Sequence, residues 1–186
     1  MILYINACVR RESRTEKLAQ ALLGKLSGDI QEVRLEEIPF IPSDEAFLNR
    51  RDQLCEEGTF DDGMFDLARQ FAAADEIVIA APYWDLSFPA SLKQYMEKVT
   101  VNKVTFEYSE DGIPQGLCKA QRLYYVTTVG GDFAPEEFGY GYIKALAEGY
   151  YGITDVRQIK ATGLDIIGAD PEKILRECVE REIEQM

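Results

Sequence analysis

Three short stretches of the chain, residues 2–6, 76–81 and 123–127, are almost unbroken in apolar side chains. Runs of that length, bounded by polar residues, predict strands covered on both faces, as in the middle of a parallel sheet. Residues 30–35 alternate apolar and polar, as a strand with one better-covered face does, and 156–162 predict a last strand. Between these runs the apolar period lengthens to that of a helix. Ser13-Arg14-Thr15-Glu16 has the form of a capping box ahead of Leu18, Leu22, Leu23 and Leu26. Residues 43–57 are helical in pattern but strongly charged, and after Asp61-Asp62 the residues Met64, Phe65, Leu67, Ala68 and Phe71 line one helix face. Pro89 opens a helix with Leu92, Tyr95, Met96 and Val99 inward, and 136–151 predict another. Asp170-Pro171 reads as cap and first position of a final helix that buries Ile174, Leu175, Cys178, Val179 and Ile183.

Strands that alternate with helices, without internal repeats, imply a parallel sheet with helices on both faces. The expected fold is α/β, a flavodoxin-like three-layer sandwich with a five-stranded parallel sheet in the order 2-1-3-4-5. Residues 103–117, with the turn Glu110-Asp111-Gly112, predict a small hairpin-like excursion. The length of 186 residues suits a single domain over 1–186. In this topology a ligand crevice lies beyond the carboxyl ends of the strands, where the first and third diverge. Three loops meet there, namely 7–15, 82–88 and 128–132.

Composition narrows the chemistry. With 20 Lys plus Arg against 33 Asp plus Glu, the net charge of −13 argues against sequence-independent nucleic-acid binding. No apolar run approaches the roughly 20 residues of a membrane span, and the first residues carry no signal-peptide pattern, so the expected location is cytoplasmic. The chain has no histidine, and its four cysteines are scattered without a CxxC, so no metal site is expected and histidine-based nucleophile chemistry is excluded. The charge is uneven, however. Arg10, Arg11, Arg14, Lys17 and Lys25 stand against Glu12 and Glu16 within the first 26 residues, a local +3 that leaves −16 for the rest.

That basic segment coincides with the first loop, where hydroxyls, an arginine and free helical amides suit a phosphate. Ser13 and Thr15 are equally well suited to capping the helix. The third loop, Thr128-Val129-Gly130-Gly131, carries paired glycines that let a flat ligand approach the backbone. No Gly-Lys-Ser/Thr motif follows a strand, and Gly139-Tyr140-Gly141 lacks the third glycine of a dinucleotide fingerprint. A mononucleotide with one terminal phosphate and a broad ring fits the remainder, which describes FMN.

The stretch through the second loop and into the next helix, Ala81-Pro82-Tyr83-Trp84-Asp85-Leu86-Ser87-Phe88-Pro89-Ala90-Ser91-Leu92-Lys93, resembles the ring-binding segment of FMN-dependent NADH:quinone oxidoreductases, also called azoreductases. The resemblance continues through 103–108, Gly116-Leu117, 128–131 and 152–156. It implies a homodimer with FMN near the subunit interface, reduced by NADH or NADPH and reoxidised by a quinone or azo compound. By position it assigns Ser13, Arg14 and Thr15 to the FMN phosphate. Tyr83, Trp84, Asp85 and Leu86, turned outward at Pro82, take the ring edge with backbone amides, and Thr128, Val129, Gly130 and Gly131 the far end. The chain departs from the family's pattern at Asp85, where asparagine is frequent, and at Ala7, where serine is. Tyr83 and Trp84 flank the ring in this reading or pack beneath the following helix in the plainer one; Phe88 and Phe106 are expected to pack. Because the cofactor carries the electron chemistry, no catalytic side chain is assigned.

Two rivals stand beside it. Cys8, Arg14 and Thr15 satisfy the Cys-x5-Arg-Ser/Thr spacing of low-molecular-weight tyrosine phosphatases, though the loop has no glycine and carries Glu12. A non-enzymatic flavodoxin-type electron carrier suits the acidity of the chain.

Overall fold

The apolar runs lie side by side. The computed structural model describes residues 1–185, with strands β1 (Ile2–Asn6), β2 (Ile30–Arg34), β3 (Glu76–Ala80), β4 (Phe106–Tyr108), β5 (Pro114–Gly116), β6 (Arg122–Thr128) and β7 (Asp155–Ala161). β2-β1-β3-β6-β7 form one parallel sheet, which is the expected 2-1-3-4-5 order once the hairpin of β4 and β5 is set aside. The register runs Asn6 beside Ala80 and Ala80 beside Val126, so β1 and β3 end level while β6 runs on to Thr128 beside Ala161.

Alternation along the strands sends side chains into two cores. Leu3, Ile5, Ile77, Ile79, Leu123 and Tyr125 face one layer with Phe71, Tyr95 and Tyr151. Tyr4, Val78, Ala80, Tyr124 and Val126 face the other, against Leu18 and Leu22 of α1 (Arg14–Leu23). Each such side chain contributes about 1.5–3 kcal/mol by leaving water, which is why β1, β3 and β6 need no polar face. β2 sits at the edge; there only Val33 is buried and Ile30 is 47% exposed, so the expected covered face is narrow.

The remaining helices are α2 (Glu45–Glu57), α3 (Asp66–Ala73), α4 (Ala90–Val99), α5 (Tyr140–Leu146) and α6 (Pro171–Glu182). Asp170 caps α6 through a hydrogen bond accepted from the Lys173 amide at 3.1 Å, with Pro171 at the first turn as expected. Leu175, Cys178 and Ile183 are buried by it, while Ile174 and Val179 are only partly covered. Two expectations are corrected. Met64 and Phe65 lie in a separate 3-10 turn ahead of α3, and Phe65 packs with Leu54, Ala68 and Val101 in a small third core. The helix expected from residue 136 starts only at Tyr140. Gly139 sits at φ −123°, ψ −92°, outside helical geometry, and the Gly141 amide turns back to the Glu136 carbonyl at 2.7 Å. The helix closes in a π turn, Ala147–Tyr151, that ends at Gly152 with φ 76°.

The hairpin docks on that turn. A Cβ at Gly116 would lie 2.1 Å from the Tyr151 carbonyl carbon, so the contact is backbone to backbone. Buried Thr105 secures its base by donating to the Val99 carbonyl at 2.7 Å and accepting from the Val101 amide at 3.0 Å. Gly116→Ala is expected to destabilise by roughly 1–3 kcal/mol, because backbone cannot yield as a side chain does. The fully buried Tyr95 hydroxyl, by contrast, has no hydrogen-bond partner among the described residues. Tyr95→Phe should leave the urea midpoint unchanged or raise it, since an unsatisfied buried hydroxyl costs stability.

Candidate functional site

The carboxyl ends of β1, β3, β6 and β7 open on one cavity of about 320 Å³. Ser13, Arg14, Thr15, Pro82, Tyr83, Trp84, Thr128, Val129 and Gly130 line it, so the structure brings together residues from all three suspected loops. Asp85, Leu86 and Gly131 do not line it. Asp85 and Leu86 instead border an adjoining depression with Ser87, Glu137, Phe138 and Tyr142.

The first wall is the start of α1. The Ser13 hydroxyl accepts from the Glu16 amide at 3.2 Å, which is the capping role expected of it. Glu16 does not complete the capping box; its carboxylate accepts instead from Asn6 Nδ2 at 3.1 Å and pairs with Arg34. The amides of Arg14 and Thr15, at the positive end of the helix dipole, have no intrahelical acceptor. The Thr15 and Thr128 hydroxyls bond each other at 2.6 Å, tying the first loop to the third. Arg14 Nη1 donates to Asp165 Oδ1 at 2.7 Å and lies 3.5 Å from the Leu164 carbonyl.

The second wall explains why β3 runs into exposed aromatics. The Tyr83 amide donates to the Thr128 carbonyl at 3.2 Å, and Trp84 and Ser87 exchange amide-to-carbonyl bonds at 2.9 and 2.8 Å. These bonds close a tight turn with Asp85 and Leu86 at its centre, both left-handed at φ 49° and 66°. That geometry favours glycine and costs other residues roughly 1–2 kcal/mol each. Among the described residues, the Asp85 and Leu86 amides have no protein acceptor. The expectation that amides from 83 onward face outward is therefore narrowed to these two. Trp84 is 38% exposed and lines the cavity, whereas Phe88 packs on Tyr142 at 5.6 Å and Phe106 is buried. Tyr83 is held by its hydroxyl, which donates to the Pro135 carbonyl at 3.4 Å; burial and nearby Glu137 raise its pKa.

The third wall holds a residue that sequence reasoning missed. Asp165 lines the cavity, and a Cβ at Gly130 would lie 2.4 Å from its Oδ2. The room left by Gly130, read from the sequence as space for a flat ring, holds this carboxylate. Extending the loop argument to the end of the last strand would have found Asp165, because β7 ends beside β6 at the same edge.

Cys8 is 2% exposed and absent from the cavity wall; burial pushes its thiol up to about 11. It remains protonated near neutral pH and faces the Ala80 carbonyl at 3.8 Å, so the phosphatase reading lacks its nucleophile. Among the described residues no group of side chains could hold a metal ion, and no helix is long and apolar enough to cross a membrane.

A parallel sheet in this order, with a helix N-terminus and a strained turn meeting where β1 and β3 diverge, defines a protein of the flavodoxin-like class. The chain belongs to the Flavodoxin_2 family, described as having a flavodoxin-like fold, whose model matches residues 1–185. Of its relatives, the FMN-dependent NADH:quinone oxidoreductase of Clostridium perfringens is 33% identical over 98% of this chain and 96% of its own length. The FMN-dependent NADH:quinone oxidoreductase 2 of Clostridium acetobutylicum is 42% identical, over 63% of this chain and 60% of that protein. The fold is shared with an FMN-dependent NADH-azoreductase from Bacillus anthracis in complex with FMN, at a TM-score of 0.81 and 24% identity over 99% of this chain and 95% of that one.

Leu86→Gly should stabilise the protein by up to about 1 kcal/mol in urea unfolding, since Leu86 is exposed and its left-handed strain is relieved. Cys8 should resist iodoacetamide at pH 8 in the folded protein. With a folded pKa near 11 against an ordinary 9, its burial favours the folded state below pH 9, and that contribution is lost as pH rises through 11.

Proposed function

We propose that this protein is an FMN-dependent oxidoreductase that passes electrons from NADH or NADPH to quinone, azo or similar small acceptors. The observation that carries this reading is the pair of unpartnered amides at Asp85 and Leu86, held in a strained turn beside a cavity that ends at a helix N-terminus. A ligand with hydrogen-bond acceptors on a ring and an anionic tail answers both ends, and FMN is such a ligand. The names of the Clostridium relatives support the same assignment.

In this reading the open amides of α1, the Ser13 hydroxyl and Arg14 receive the FMN phosphate, and Thr15, whose hydroxyl is also shared with Thr128, adds its backbone amide. The Asp85 and Leu86 amides hold the ring edge, and because the turn is fixed by the Trp84–Ser87 bonds they need no reorganisation. Tyr83 and Trp84 cover the ring and limit water; Thr128 and Val129 form its far border, with Gly130 beneath the Asp165 carboxylate and Gly131 outside the cavity. FMN, when bound, supplies the two-electron transfer that no side chain here provides. With no histidine in the chain, protons come from solvent or from a tyrosine such as Tyr83 on the cavity wall.

A homodimer belongs to this reading. It is carried by the likeness to the FMN-dependent relatives, and exposed Tyr108, Phe133 and Phe138 are apolar side chains that a second copy could cover. A cytoplasmic location is supported by free thiols at Cys8, Cys55, Cys118 and Cys178.

The apoprotein should take up FMN and retain a flavin spectrum through gel filtration. Without oxygen, NADH or NADPH should bleach it and a naphthoquinone restore it. Protein that stays colourless at micromolar FMN would sink the proposal, and rapid exchange with a ferredoxin-type partner beside slow reduction by both nicotinamides would favour the carrier. Arg14→Ala should weaken FMN about tenfold, or ~1.4 kcal/mol, because a charge-assisted contact is lost at a half-exposed site.

A further inference from the structure

The ion pair between Arg14 and Asp165 sits where the proposed cofactor's phosphate would arrive. We infer that the Asp165 carboxylate is a built-in competitor for this anion site, occupying the Arg14 guanidinium in place of phosphate and thereby setting how loosely the mononucleotide is held. The inference rests on the FMN reading above and adds to it a residue that determines affinity for one part of the ligand.

The backbone carrying Asp165 is pinned. Its amide donates to the Gly130 carbonyl at 2.8 Å, the Leu164 amide to Val129 at 3.2 Å and the Gly163 amide to Gly131 at 2.7 Å. The segment therefore cannot withdraw as a whole, and only the side chain can turn away. In place, that side chain bridges two walls. Oδ1 accepts from Arg14 Nη1 at 2.7 Å, and Oδ2 lies over Gly130, where any Cβ would collide with it at 2.4 Å. The other acceptor near Arg14, the Leu164 carbonyl at 3.5 Å, is at the limit of a hydrogen bond, so Asp165 is what holds the guanidinium.

Charge makes the consequence specific. Arg10 and Arg14 on the cavity wall are matched by Glu12 and Asp165, so an incoming phosphate meets a wall of no net formal charge. Its attraction is left to the helix amides, and its gain from Arg14 is reduced by displacing a carboxylate and by repulsion from it. Arg14 and Asp165 are both partly exposed, at 39% and 66%, so the ion pair is weak and readily exchanged. The competition for Arg14 bears on the phosphate alone; a flavin without one gains nothing from freeing the guanidinium.

The test titrates the apo forms of wild type, Asp165→Asn, Asp165→Ala and Glu110→Gln with FMN and with riboflavin, monitoring flavin fluorescence at low and moderate salt. Glu110→Gln makes the same change in net charge at the hairpin turn and controls for the long-range field. Both Asp165 variants should bind FMN roughly three- to tenfold more tightly, as expected for removing one carboxylate at a solvent-screened site. Their FMN affinity should also fall more steeply with salt, while riboflavin stays within about twofold of wild type and Glu110→Gln changes neither. If one Asp165 variant fails to fold by circular dichroism, the other reads the same quantity. Weaker or unchanged FMN binding without the carboxylate would overturn the inference, since Asp165 would then orient Arg14 for phosphate or be irrelevant to it. An equal gain for riboflavin would overturn it too. Wild type that binds neither flavin removes the cofactor reading itself, whereas wild type that binds FMN with no gain in the variants removes only this inference.

Discussion

Covering β1, β3 and β6 on both faces is the constraint on which the rest of the structure depends. A strand with no polar face has to be flanked by strands in its plane and by helices above and below it. Each connection must then cross over a face, which keeps the strands parallel and brings their carboxyl ends to one edge. Because β2 lies on one side of β1 and β3 on the other, the loops leaving β1 and β3 part at that edge. The cavity is a result of this topology before any side chain lines it. Its chemistry is then local, supplied by the first turn of α1, the turn at Asp85 and Leu86, and the segment after β7.

The parts of the fold readable from the chain were those with a single strong signal. Unbroken apolar runs located β1, β3 and β6, and Asp170-Pro171 located the start of α6. The parts not readable were those decided by backbone geometry that residue type leaves open. Residues 136–139 have helical composition, yet the backbone of Gly139 and the return of the Gly141 amide to Glu136 delay the helix to Tyr140. A glycine permits that geometry without announcing it.

The site was legible to a similar depth. The three loops and most of their lining residues can be inferred from topology and residue type, but how each group is used cannot. Thr15 looks like a free hydroxyl until Thr128 is beside it, and Tyr83 and Trp84 look like free amides until their acceptors are known. Asp165 stands far along the chain from Arg14, and its importance comes entirely from their meeting. The left-handed geometry of Leu86 is the least readable feature, since leucine carries no preference for it and the surrounding bonds impose it.

The bond between the hydroxyls of Thr15 and Thr128 links the first turn of α1 to the end of β6. With both residues anchored in regular structure, the distance from the helix N-terminus to the turn at Asp85 and Leu86 is set by the scaffold and not by whatever enters. On the reading proposed above, that fixed span acts as a ruler: a molecule carrying the right ring and the right anion, but joined by a spacer of the wrong length, would reach one end and miss the other. Discrimination of that kind needs no contact with the spacer at all.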